Sequence, residues 1–398
     1  MTSADSAKPG HTLGRNVYAL SAVSFFTDVS SEMIYPLLPT FLTSTLGASA
    51  GFLGVIEGVA ESTAALLKLA SGWWSDRVKH RKPLIVGGYA LASLVRPLVA
   101  ISQSAGQVLA IRVTDRIGKG IRGAPRDALI ADSVDPSIRG RAFGFQRAAD
   151  HAGAVIGPLL AFAVLRWGHI ALRPVFLLAA IPGLIAVLVA AIWVCERDAR
   201  PAVAPTDHPA LTGERLGGRF WMVLGVITLF TLGNSTDAFL LLRASQLGVS
   251  VALAPLLWAL LHVVKSSTST PGGMLSDRIG RKPTVIAGWT VYAVAYLLFA
   301  RANAAWQAWA IFAWYGLHFG LTEGTEKALI ADLVPASRRG VAFGWYNLAI
   351  GIGALPASVV FGLIWDRVGS ATAFTFGAVV AGLSAAVLAL LPLPGAKR

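Results

Sequence analysis

Stretches of about twenty residues with almost no charge recur along this chain, the length of helix that crosses a bilayer core about 30 Å thick. Examples are LIVGGYALASLVRPLVAI from Leu84 and VFLLAAIPGLIAVLVAAIWVC from Val175. A soluble domain has roughly a quarter of its residues charged. Here 14% are charged and 55% hydrophobic, with a mean hydropathy of +0.63. The chain reads as an all-α integral membrane protein.

Twelve spans are expected, at 16–45, 51–74, 84–103, 105–125, 141–165, 172–195, 219–243, 250–272, 284–301, 305–326, 341–365 and 371–393. The segment from Glu196 to Arg219, ERDARPAVAPTDHPALTGERLGGR, is rich in proline, glycine and charge and reads as a soluble linker. The expected organisation is a tail at 1–15, a six-helix bundle at 16–195, a linker at 196–218, a second bundle at 219–393 and a tail at 394–398. Basic residues concentrate in one set of loops: Arg77, Lys79, Arg81, Lys82, Arg139, Arg141, Arg278, Arg281, Lys282, Arg338 and Arg339. The turns near Leu46 and Ser104 have none. By the positive-inside bias both termini and the linker are cytoplasmic. That bias accounts for the net charge of +13 without nucleic acid. The first fifteen residues lack an apolar stretch, so no cleaved signal peptide is expected and the first span would act as the targeting signal. The single cysteine, Cys195, excludes an internal disulfide or a cysteine cage for metal.

The two halves of the chain repeat one another. GWWSDRVKHRKP at Gly72 recurs as GMLSDRIGRKP at Gly273, ALIADSV at Ala128 as ALIADLV at Ala328, and RGRAFG at Arg139 as RGVAFG at Arg339. From Arg81 onward the offset is 200 residues. Both copies fall on the same expected side, so the halves are parallel repeats related by an axis along the membrane normal.

With these motifs the chain resembles the major facilitator superfamily, over about residues 16 to 393. The family's loop pattern, Gly, three residues, Asp-Arg, one residue, Gly-Arg-Lys, is matched by Gly273, Asp277, Arg278, Gly280, Arg281 and Lys282. The first copy has Gly72, Asp76, Arg77, Arg81 and Lys82, with one extra residue. Physically, the glycine permits close helix approach. The Asp can accept from the orphan N–H groups of a neighbouring helix or pair with basic residues, forming a cytoplasmic latch when that side is shut. The family pattern in span four is met by Arg112, Gly118 and Gly120, with Asp115 and Arg116 as departures. The exporter pattern in span five is met by GAVIGP, where Gly153, Gly157 and Pro158 allow close packing and a bend. The resemblance implies twelve transmembrane helices in two pseudo-symmetric six-helix bundles, alternating access, and no cofactor.

Two acids stand halfway along span one. Asp28 and Glu32, at i and i+4, share a helix face. A carboxylate at mid-bilayer costs roughly 2.5–3.5 kcal/mol, tolerable if it meets a cavity, a cation or a proton. Other ionisable or polar residues at this depth are Glu57, Glu61, Arg112, Asp115, Arg116, Asp150, Asn234, Asp237, His262 and Lys265. Proton coupling needs an acid that can bind and release a proton at the working pH. Asp28 and Glu32 are the first candidates, then Asp237, with Arg112 or Arg116 able to stabilise the ionised form. The same residues also read as static ion pairs between helices. His151, His262 and His318 lack the spacing of a metal site, and packing is the expectation for each. No phosphate-binding loop, G-x-S-x-G elbow or HExxH is present, so neither ATP hydrolysis nor an enzyme is expected. The expectation is proton-coupled efflux of a small molecule by a monomeric unit in the cell (inner) membrane. Alternatives are an uptake symporter, a metal-ion exporter, or a non-transporting receptor on the same scaffold.

Overall fold

Single prolines and closely packed glycines shape the turns and seams of a long-helix bundle, seen here in a computed structural model. The structure describes residues 13–75, 78, 80–134, 139–168, 170–196, 216–335 and 338–392. The expected tails up to residue 12 and from 394, linker residues 197–215, and Asp76 and Arg77 of the first loop motif lie outside the described residues.

Helix α1 (Arg15–Ile34) continues through a 3₁₀ turn (Tyr35–Leu37), a short helical turn (Leu38–Thr40) and a π turn (Phe41–Thr45). Pro36 and Pro39 start the first two of these, because proline supplies no N–H for the regular ladder. Then follow α2 (Ala50–Ser75), α3 (Lys82–Val95, extended as 3₁₀ over Arg96–Ile101), α4 (Ala105–Asp132), α5 (Arg139–Trp167) and α6 (Leu172–Leu178 and Ala180–Trp193). The second half has α7 (Gly218–Gly233 and Ala238–Gln246), α8 (Ala254–Ile279), α9 (Arg281–Arg301), α10 (Ala305–Asp332), α11 (Arg339–Arg367) and α12 (Ser370–Leu390). The twelve spans are those expected, with α4, α8 and α10 running six or seven residues further than anticipated. Span seven differs in kind. It breaks after Gly233 and resumes at Ala238, so Asn234 and Asp237 do not share a continuous helix as their i, i+3 spacing suggested.

Among the described residues, nine spans are long and apolar enough to cross a membrane by length and composition alone. The other three, α1, α4 and α10, are 20, 28 and 28 residues long. Their hydropathy is lowered by the inward-facing polar residues discussed below, not by lack of length: 28 residues of helix span about 42 Å.

Packing follows the repeat. In the first half α1 packs on α5 and α6, α2 on α4, and α3 on α4 and α6. In the second half α7 packs on α11 and α12, α8 on α10, and α9 on α10 and α12. The halves meet mainly through α2 with α11 and α5 with α8, two seams that exchange under the same repeat. Gln107 accepts from the N–H groups of Gln103 and Ser104 at the start of α4, and Gln307 from those of Asn303 and Ala304 at the start of α10. This repeated cap satisfies orphan donors at both helix starts.

The α2–α11 seam is built on small residues. A Cβ added to Gly54 would lie 2.2 Å from the Ser358 carbonyl oxygen, and one on Gly362 2.6 Å from that of Ala50. Ser62 Oγ donates to the Gly351 carbonyl at 2.7 Å. These contacts run from the start of α2 to about its middle and close one side of the bundle, the side away from the Asp-Arg loops.

Candidate functional site

The expected acids converge. A cavity of about 330 Å³ between the halves is lined by Asp28, Ser31, Glu32 and Tyr35 of the first span and Glu61 of α2. Arg96, Arg112, Asp115, Arg116, Lys119 and Arg122 come from α3 and α4, and Asp237, Trp258, Leu261, His262, Lys265 and Phe319 from the second half. Glycines set where Asp28 and Glu32 stand. A Cβ on Gly153 would meet the Phe25 carbonyl oxygen at 2.5 Å and Asp28 Cβ at 3.0 Å, and one on Gly157 the Val29 carbonyl oxygen at 2.6 Å and Glu32 Cβ at 3.1 Å. The span-five motif thus lays α5 against the turns of α1 that carry the acids. Pro158 lies inside α5, which runs on as one helix to Trp167.

Most charges near the cavity are already paired. Arg112 donates from Nε and Nη2 to the two oxygens of Glu57 at 3.0 and 2.6 Å. One turn on, Arg116 pairs with Glu61 at 2.8 Å. The i, i+4 spacing of the acids on α2 therefore matches that of the arginines on α4. Arg96 donates to Asp115 at 2.7 Å, and Lys265 pairs with Glu323 at 3.3 Å. In this part of the site the charges stand as ion pairs between helices, one of the two arrangements the sequence allowed. At positions equivalent to Glu57 and Glu61 the second half has Trp258 and His262, and opposite them Phe312 and Gly316 replace Arg112 and Arg116. The same seam is ionic in one half and aromatic in the other.

Of the five acids that line the cavity, Asp28, Glu32 and Asp237 have no cation at ion-pair distance among the described residues. They differ in their partners. Glu32 accepts from the indole Nε1 of Trp258 at 2.7 Å, across the halves. Asp237 accepts from the Tyr315 hydroxyl at 2.6 Å. The Asp28 carboxylate has no hydrogen-bond partner among the described residues. Tyr35 also bridges the halves, sharing a 3.4 Å hydrogen bond with Thr236 and packing its ring 4.9 Å from that of Trp258.

Other candidates fall elsewhere. Asn234 caps the first segment of α7 and does not line the cavity. Asp150 is outside the lining too, held by Gln146 at 2.7 Å and Arg147 at 3.6 Å. His318 packs on Tyr315 and contacts the Gly288 carbonyl at 3.0 Å, whereas both ring nitrogens of His262 are buried without a partner among the described residues. Arg96, Lys119 and Arg122 line the cavity without having been picked out. The available signal for Arg96 was a lone arginine within an otherwise apolar run.

Among the described residues the repeated loops form ion pairs within each half. Arg81 pairs with Asp132 at 2.5 Å, and Arg281 with Asp277 and, at 3.6 Å, with Asp332. The two repeated motifs, the basic loop and ALIAD, are thus partners within each half. Lys282 donates to the carbonyls of Ala389 and Leu391 at 2.8 Å, and the Lys82 N–H to Glu196 at 3.2 Å. Arg278 is exposed, and Gly72 lies near the end of α2. An added Cβ on Gly273 meets nothing within 4 Å; adjacent Gly272 makes the close approach instead, against the Gly320 carbonyl. Gly280 adopts φ +99° between α8 and α9, a conformation that favours glycine. In sequence the first copy has Val78, Lys79 and His80 where the second has Ile279 and Gly280.

The Arg112–Glu57 pair yields a stability prediction. Glu57→Ala leaves the buried guanidinium with only the Asp115 carboxylate at 3.9 Å, which Arg96 already shares, and is expected to cost about 3 kcal/mol. Replacing both partners by apolar residues (Glu57→Met with Arg112→Leu) should recover most of that loss. Thermal unfolding in detergent reads both, and an unchanged midpoint for Glu57→Ala would show that the pair is not structural.

Comparison with known proteins agrees with this architecture. The sequence profile of the Major Facilitator Superfamily matches residues 20–264 and 222–398. An uncharacterized MFS-type transporter of Methanocaldococcus jannaschii is 32% identical over 382 residues, covering 94% of each chain. The methyl viologen resistance protein SmvA of Salmonella typhimurium is 26% identical over 86% of this chain and 81% of its own. A solved bacterial homologue of the human lysosomal transporter Spinster, in an inward-facing and occupied conformation, superposes with a TM-score of 0.73 at 16% identity, over 96% of both chains. From its repeated halves, its profile match and its full-length relatives, this chain belongs to the major facilitator superfamily, a multi-pass membrane transporter of twelve helices.

Proposed function

We propose that this transporter exports a small molecule in exchange for protons, from a cytoplasmic-membrane position with both termini inside. The observation that carries the reading is the Asp28 carboxylate: it lines the cavity shared by both halves, together with Lys119 and Arg122, and has neither a cation at ion-pair distance nor a hydrogen-bond donor among the described residues. A paired acid has little reason to change protonation, whereas one facing a cavity can exchange its counter-ion. In the proposed cycle a substrate enters from the side of the Asp-Arg loops and occupies the cavity against Asp28, displacing its proton. The halves then rock about the α2–α11 and α5–α8 seams. A proton from the far side replaces the substrate and resets the carrier. The orientation rests on the basic loops. The export direction draws support from the span-five motif and from the relative named for methyl viologen resistance, joined by the class C tetracycline resistance protein of Escherichia coli, 26% identical over 71% of this chain.

Inverted membrane vesicles from expressing cells test it. With respiration acidifying the lumen, a pH-sensitive dye should show partial collapse of the gradient on adding a substrate, found first by growth screening against toxic organic compounds and metals. Labelled substrate should accumulate in the same vesicles. Accumulation only in right-side-out vesicles would establish uptake symport instead, and binding without counterflow in liposomes would identify a receptor.

A further inference from the structure

The carboxylate of Asp366, near the end of α11, accepts from the main-chain N–H of Ala50 at 2.9 Å and of Gly51 at 2.7 Å. These belong to the orphan donors that every helix leaves at its start, at the positive end of its macrodipole. The acceptor comes from the other half of the protein. The bond is charge-assisted and two-pronged, and it lies on the side of the bundle that this conformer closes.

The surrounding sequence is shaped for it. A Cβ added to Gly51 would lie 2.7 Å from Asp366 Oδ2, and one added to Gly362 2.7 Å from Gly51 Cα. Small residues on both helices therefore let the carboxylate reach the backbone. The repeat does not duplicate the device. The position equivalent to Asp366 is Arg166, a base rather than an acid, and Ala50 and Gly51 correspond to Val251 and Ala252, in a 3₁₀ turn ahead of α8. Each half keeps its own Arg–Asp pair on the loop side, so this cap is a contact that only the closed far side can make.

We infer that Asp366 is a positioning residue for the transport cycle, a single-sided latch that holds the far side shut while the loop side is open. It acts through α2 and α11 and does not touch the cavity. When the halves rock, both N–H groups lose their acceptor, so the latch biases the equilibrium towards the conformer described here. The inference rests on alternating access but on neither the coupling ion nor the direction of transport, so the vesicle assays above can fail without affecting it.

A reporter cysteine in the cavity, Ser31→Cys in a Cys195→Ser background, tests it. A membrane-impermeant maleimide is applied separately to intact cells and to inverted vesicles. Asp366→Ala should speed labelling from the α2–α11 side about tenfold and slow labelling from the loop side. Asp366→Asn, which keeps one acceptor oxygen, should fall between. Gly51→Ala should match Asp366→Ala by pushing the carboxylate away, and combining the two should open the far side no further than either alone. Circular dichroism and gel filtration confirm folding of each variant. Unchanged labelling from both sides in folded Asp366→Ala, or additive effects of the two substitutions, would overturn the latch.

Discussion

Asp28→Asn should abolish uphill transport while leaving a folded, substrate-binding protein. Asparagine keeps the shape of the side chain against Gly153 but carries no exchangeable proton. No direct contact is broken, because the Asp28 carboxylate holds no ion pair or hydrogen bond among the described residues. The neighbouring acids are differently placed: Glu32 is tied to Trp258 and Asp237 to Tyr315, so replacing either also breaks a contact. In proteoliposomes with a pH gradient the Asn variant should reach an accumulation ratio of about 1, because proton and substrate no longer share a coupling free energy. Substrate-for-substrate counterflow, which moves no net proton, should persist. Normal proton-driven accumulation in this variant would remove Asp28 from the mechanism and make Glu32 or Asp237 the coupling acid.

Gly54→Ala should be severely damaging although it adds only one methyl group. The new Cβ would sit 2.2 Å from the Ser358 carbonyl oxygen and 2.8 Å from its carbonyl carbon. Both are main-chain atoms of a long helix and cannot rotate aside, so α2 and α11 must part. Overpacking of this kind costs about 1–3 kcal/mol. Here the cost falls on the conformer closed at the far side, since that seam is what it disrupts. Transport should drop by about a hundredfold, on the scale of a misplacement near 1 Å, and the Ser31→Cys reporter should become accessible from the far side. Gly87→Ala is the control. Nothing lies within 4 Å of its added Cβ, so helix propensity alone applies and the variant should be neutral or slightly more stable. Wild-type transport by a folded Gly54→Ala protein would mean that this seam does not limit the cycle.

Three kinds of information were legible in the sequence to different degrees. Element type and number were plain, because apolar run length is a direct consequence of bilayer thickness. The pairing of halves was equally plain, because the repeated motifs fix it. The cavity was legible as a set of misplaced charges: Asp28, Glu32, Asp237 and Lys265 line it, as depth and helix face suggested. Which of them are engaged was not legible. Glu61 and Arg116 read as mid-membrane charges open to either a transport or a pairing role until α2 and α4 are seen to place them 2.8 Å apart. Asp150 was misjudged for a similar reason, since a helix position gives depth but not the angle at which its neighbours stand. The break in α7 was hidden because GNSTDAF is compatible with either a helix or a turn.

By itself, then, the sequence determined a chain of twelve membrane helices in two parallel halves with costly polar groups held between them. Hydrocarbon enforces that outcome locally, residue by residue. The tertiary structure alone decided which charges neutralise one another, which acid is left facing the cavity, and which side is shut. Those are contacts between segments far apart in the chain, such as Asp366 with Gly51 and Trp258 with Glu32. Their distances depend on how whole helices pack, which no local pattern of residues records.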